Sequence, residues 1–122
     1  MSGSMPKPDA STLEAFDALV PEHPGVTTRP MFGQRAAFVN ANMFLGVFGR
    51  DIMMRLAEPD RDAILSEGGL PFEPMGRPMR EYVLIPRAWL EELDLARPWV
   101  ERSLAFAEAM PAKQPKSGTK KA

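Results

Sequence analysis

MFGQRAAFVNANMFLGVFGRDIMMRL, residues Met31 to Leu56, decides the fold. Arg35 to Asn40 holds four apolar residues between polar ends. Asn40-Ala41-Asn42 is a turn signal, because Asn tolerates left-handed backbone and bonds its own main chain. Met43 to Phe48 carries no charge, with Met43, Leu45 and Val47 expected on one face and Phe44, Gly46 and Phe48 on the other. A strand apolar on both faces is a central or doubly covered one. Gly49-Arg50 fits a two-residue hairpin, with Gly first as a type II′ turn requires. Ile52, Met54 and Leu56 alternate with Asp51, Met53 and Arg55, the pattern of a half-buried strand. The stretch therefore reads as an antiparallel meander.

Outward from it, the flanks read as helices. Asp9 to Val20 repeats Leu13, Phe16, Leu19 and Val20 at helical spacing. Ser11 or Thr12 is the expected N-cap, and Ser11 with Glu14 makes a capping box. Pro21 and Pro24-Gly25 end that helix, and Pro30 suits an edge strand or a strand's first residue. After Leu56, Pro59 opens a helix that Gly68-Gly69 closes, one of the two glycines left-handed. Leu70 to Met79 packs three prolines and a glycine into ten residues, so no regular helix forms there, and Phe72 is its expected anchor. Arg80 to Ile85 is a strand. Pro86 opens a short helix that buries Trp89, Leu90 and Leu93. Pro98 is placed in the first turn of the last helix, because an interior proline costs about 3 kcal/mol.

The order is α-β-β-β-β-α-β-α-α. Strands and helices in separate runs with short hairpins specify an α+β, two-layer domain, an antiparallel meander sheet packed against helices. Residues 1–8 read as a disordered N-terminus, 9–110 as one domain and 111–122 as a disordered lysine-rich tail.

Composition narrows the functions. With no cysteine, disulfide scaffolds, thiolate metal sites and thiol catalysis are excluded. No apolar run approaches the roughly 20 residues of a bilayer span, and residues 1–11 lack signal-peptide features. A cytoplasmic location is the default expectation. The net charge of −1 is uneven: every acid lies between Asp9 and Glu108, while Lys113, Lys116, Lys120 and Lys121 fill a tail without acids. An acidic body repels phosphate backbones and disfavours nucleic acid as the partner.

No catalytic set emerges. His23, the sole histidine, has no ligand-spaced neighbours, so no metal is expected. Ser11, Ser66 and Ser103 lie in separate elements, and Glu91-Glu92 or Asp60 with Asp62 point apart on a helix. No Gly-rich phosphate loop is present, and nothing implies a cofactor. The reading is a non-enzymatic interaction or regulatory domain; the alternatives are nucleic-acid binding through the Arg-rich loop and lysine tail, or a small-molecule or enzymatic pocket between sheet and helices that lines up Arg77, Tyr82 and an acid. Candidate sites are of another kind. Arg29, Arg35, Arg77 and Arg80 flank the MFG and the Pro-rich loop, and their planar forks suit an anion or partner patch. The structural alternative is pairing with Glu73, Glu81 and Asp51. Gly76, Pro78, Met79 and Tyr82 belong to a restricted turn that is either a recognition loop or a structural crossing. Met31, Met43, Met53, Met54, Met75 and Met79 are either core filler or an adhesive surface for a homodimer or protein partner.

MFG at Met31–Gly33, MF at Met43-Phe44, and PFEPMGRPMREYVLIP at Pro71–Pro86 before an amphipathic helix resemble the TfoX N-terminal domain family. The resemblance spans about Phe16 to Ala109, and Gly76-Arg77-Pro78-Met79 before a Tyr-containing strand is its most specific part. It departs at Gln34 and Ala36, where the family places glycines, and in having a lysine-rich tail where the competence regulator has a second domain. The resemblance implies the fold and a bacterial cytoplasmic origin; the family includes a competence regulator, and a regulatory role through a protein partner is the functional expectation. The resemblance supplies no catalytic residues.

Overall fold

The computed structural model describes residues 9–31, 34–73, 76 and 79–111. Helix α1 (Ala10–Leu19) precedes strands β1 (Val26–Met31), β2 (Gln34–Val39), β3 (Asn42–Phe48) and β4 (Asp51–Arg55). Helix α2 (Glu58–Ser66), strands β5 (Leu70–Pro71) and β6 (Tyr82–Leu84), a 3-10 turn (Arg87–Glu91) and helix α3 (Leu93–Glu108) complete the order. The strands form one antiparallel sheet, ordered β1-β2-β3-β4-β6-β5. The expected α+β two-layer architecture is the observed one, with two strands more than the meander itself.

Two tight turns set the meander. Asn40 and Ala41 both take positive φ, 52° and 62°, as a type I′ turn demands between right-twisted strands. At the next hairpin only Gly49 is left-handed, which agrees with Gly in the first position of a type II′ turn.

Between these turns β3 breaks its alternation. Ala37 pairs with Leu45 but Phe38 pairs with Met43, so Phe44 is the extra residue of a β-bulge. Phe44 joins Leu45 and Val47 in the core beneath the helices, while Met43 and Phe48 share the opposite face with Met53. This corrects the sequence expectation, which put Met43 with Leu45 and Phe44 with Phe48. Strict period-two counting carries no signal for a bulge. Ser103 of α3, wholly buried, holds it: its hydroxyl lies 2.8 Å from the Phe44 carbonyl and 2.7 Å from that of Arg55.

The main core lies between sheet and helices, where Phe16, Leu45, Ile52, Met54, Leu56, Val83 and Val100 close on one another. Apolar burial of this kind, about 25 cal/mol per Å², is the dominant folding term. Ala96, Val100, Ser103 and Ala107 give α3 a narrow face of small side chains toward β3 and β4. Gly69 follows from the same closeness: a Cβ there would sit 2.5 Å from Ile64 and 2.7 Å from the Leu84 carbonyl.

Three helix boundaries differ from expectation. Asp9 is the N-cap residue of α1, and Ser11 donates to its carboxylate instead of capping the helix. The Pro86 segment makes a 3-10 turn, too short for a full α-helix. Pro98 lies inside α3, beyond its first turn. The carbonyl this proline leaves without its amide donor is that of Asp94, an exposed residue where water can serve.

Candidate interaction surface

The sheet's outer face, away from the helices, is assembled from β4 and β6 with the segment that follows β5. Register places Met53 opposite Leu84 and Arg55 opposite Tyr82. Phe72 folds over them, meeting Phe48 edge-on at 5.0 Å and Tyr82 at 6.2 Å between ring centroids. Met53, Phe72 and Leu84 are buried, with half-buried Met43, Phe48 and Tyr82 around them. The Met53 methyl occupies the space a side chain at Gly46 would need, 2.6 Å from its Cβ position. Much of the second face is thus closed by the chain's own Phe72 segment and is not the bare surface that two-sided greasiness implied. What remains open is its margin, where Leu70 is 57% and Met79 38% exposed.

A polar clasp borders this cluster. Arg55 donates from Nε and Nη2 to one oxygen of Glu81 at 2.8 and 2.5 Å, and from Nη1 to the Met43 carbonyl at 3.4 Å. The Tyr82 hydroxyl donates to the same carbonyl at 3.3 Å. The guanidinium carbon stands 5.4 Å from the Tyr82 ring centre, a cation–π approach. Burial pushes the Tyr82 phenol above its ordinary pKa; Arg55 opposes that shift and Glu81 adds to it. Arg55 was not among the sequence candidates. Only the register that sets β4 against β6 joins residues 26 positions apart.

The three described candidate arginines do not converge. Arg29 is exposed on edge strand β1 and stacks 4.1 Å over the Phe38 ring. Arg35 leaves the opposite face of the sheet and pairs with Asp17 of α1 at 2.7 Å. Arg80 is exposed in the turn entering β6, four strand spacings from β1, about 19 Å at roughly 4.8 Å each. Arg77 lies outside the described residues, as do Pro78, Met75, Phe32, Gly33 and the tail beyond Pro111. Of the acids expected to pair with them, two are taken by other arginines: Glu81 is engaged by Arg55, and Asp51 by Arg87 at 2.8 Å. That last pairing, through its hydrogen bond, raises the Arg87 pKa. Gly76 has φ of 80°, the restricted turn expected, and Met79 donates its amide to the Phe72 carbonyl at 2.9 Å.

Elsewhere, a cleft of about 460 Å³ lies between the end of α1 and α3, lined by Asp17, Glu22, Arg97 and Glu101 among others. Arg97 already donates to the Ala18 carbonyl there at 3.1 Å, and Tyr82 takes no part. Among the described residues no group of three or more His, Asp or Glu side chains is arranged to hold a metal. No helix among them is long and apolar enough to cross a membrane. The model of the TfoX N-terminal domain family matches residues 15–107 of the 122-residue chain. No curated protein matches it.

Proposed function

The chain belongs to the TfoX N-terminal domain family, and from that premise we propose that it is a non-enzymatic regulatory domain acting through a protein partner. The partner, or a second copy of the chain, engages the margin of the outer sheet face around Leu70, Met79 and Tyr82. The supporting observation is that two large apolar side chains stay exposed beside a half-buried aromatic cluster. Leu65 and Leu95 are exposed to a similar degree on the helices, but Leu70 and Met79 border a further apolar cluster, and contiguous apolar surface is what marks an interaction site. Among the described residues between β5 and β6, Phe72 and Met79 border that margin and are joined by the Met79 amide's bond to the Phe72 carbonyl, and connecting segments on a rigid sheet often carry recognition. A role in transcriptional regulation of competence is the specific form this takes within the family.

Cross-linking and light scattering of the purified protein, with capture from a bacterial lysate, test the reading. Wild type is expected to self-associate or to retain a partner that the Leu70→Glu, Met79→Glu double variant loses. A strict monomer that captures nothing, or capture indifferent to both substitutions, contradicts it.

A further inference from the structure

Charge in this protein is sorted between the layers. The helical segments and their turns, residues 9–25, 57–69 and 86–111, hold thirteen carboxylates against four arginines, a net charge of −9. The described residues of the sheet and its turns hold five arginines against three carboxylates, a net charge of +2. An average over the whole body therefore conceals the contrast between a slightly cationic sheet and an acidic helical layer, with Arg35 on the sheet's helical side and Arg29 and Arg80 exposed and, among the described residues, unpaired. Two pairs cross between them, Arg35 with Asp17 and Arg87 with Asp51. On the sheet, Glu81 is engaged by Arg55. Arg29, Arg50 and Arg80 have no carboxylate within ion-pair distance among the described residues.

Building on the partner reading above, we infer that the occupant of the outer face is an acidic polypeptide segment bearing an aliphatic or aromatic anchor. The anchor meets Leu70, Met79 and Tyr82, and the carboxylates meet Arg80 and Arg29. Register lines up Arg29, Ala36, Gly46, Met53, Leu84 and Leu70 across the sheet; the four between are buried, so the segment meets that row only at its exposed ends, Arg29 and Leu70. Five strand spacings make that row about 24 Å long, the reach of about seven extended residues. The acidic helical layer turns such a segment away from the other side, so the same charges that attract also orient. Nucleic acid fits less well. Bases need open ring faces to stack on, whereas Arg29 covers Phe38, Phe72 is buried, and Phe48 and Tyr82 present themselves to Phe72.

The test is fluorescence anisotropy of the full chain with a labelled glutamate–tyrosine copolymer, with polyglutamate and an oligothymidylate strand for comparison, at low and physiological salt. The copolymer is expected to bind more tightly than either comparison ligand and more weakly as salt rises. The Arg29→Glu, Arg80→Glu double variant should weaken it at least about tenfold, about 1.4 kcal/mol. Because Arg29 also packs on Phe38, Arg80→Glu alone serves as a second variant, and unchanged melting certifies both. Preference for oligothymidylate, binding indifferent to either charge reversal, or no binding overturns the inference. If the copolymer fails while a lysate partner is still lost with Leu70→Glu, Met79→Glu, the acidic segment is refuted and the partner reading stands. If that capture fails as well, both fall.

Discussion

Replacing Ser103 with alanine removes one hydroxyl from the interior and nothing else. That hydroxyl sits between the carbonyls of Phe44 and Arg55, at 2.8 and 2.7 Å, in a fully buried position on α3. Phe44 is the bulged residue, so its carbonyl lies where the ladder of β3 is interrupted. Leaving a buried acceptor without its donor costs about 1–3 kcal/mol. The change in volume is small, so no cavity term of note is added. We therefore expect a loss of about 2 kcal/mol, a large part of the roughly 5–15 kcal/mol that holds a domain of this size. At about 4–8 °C per kcal/mol, the melting temperature should fall by about 8–16 °C. Urea denaturation followed by the fluorescence of Trp89 and Trp99 measures the loss. Ser66→Ala is the control, since the Ser66 hydroxyl bonds the Asp62 carbonyl on an exposed helix surface; it should cost under about 0.5 kcal/mol. A Ser103→Ala loss no larger than the control's would refute the idea that this hydroxyl secures the bulge.

Three further outcomes are expected. Gly69→Ala should cost about 2–3 kcal/mol, because its Cβ meets Ile64 and the Leu84 backbone at under 3.0 Å; a thermal melt equal to wild type would contradict this. Ala41→Gly should gain about 0.5 kcal/mol by denaturant titration, since relief of a left-handed alanine, about 1–2 kcal/mol, exceeds glycine's extra unfolded-state entropy, about 0.5–1 kcal/mol. The Tyr82 phenol ionises above its ordinary value of about 10 in the folded state. Its contribution is therefore complete below about pH 10 and is lost as pH rises through the folded value. As the sole tyrosine, it reports directly by ultraviolet absorbance, and ionisation at or below pH 10 in the folded protein would be the contrary result.

How far the sequence could be read depended on whether the deciding physics was local. The meander was legible because alternation, Asn40-Ala41 and Gly49 each state a local preference that the sheet then uses. Gly68 closing α2, with φ of 108°, was equally plain. The phase of β3 was not, since a bulge at Phe44 depends on Ser103, 59 residues away. The surface was harder still. Arg29 and Arg35 are near neighbours in sequence, yet strand alternation sends them to opposite faces, one onto Phe38 and the other to Asp17. Arg55 looked like ordinary outward polarity until register placed it against Tyr82 and Glu81. Charge sorting was hidden for the same reason: helical and sheet segments alternate along the chain, so only the packed layers separate their charges.

The central claim, that a partner segment lies on the outer face of the sheet, is tested most directly by titrating the isotope-labelled protein with the glutamate–tyrosine copolymer and following backbone amide resonances. Shifts concentrated at Arg29, Met43, Leu70 and Met79 to Tyr82, with α1 and α3 unmoved, are the predicted result. Shifts centred on the helical layer, or none at saturating polymer, would contradict it.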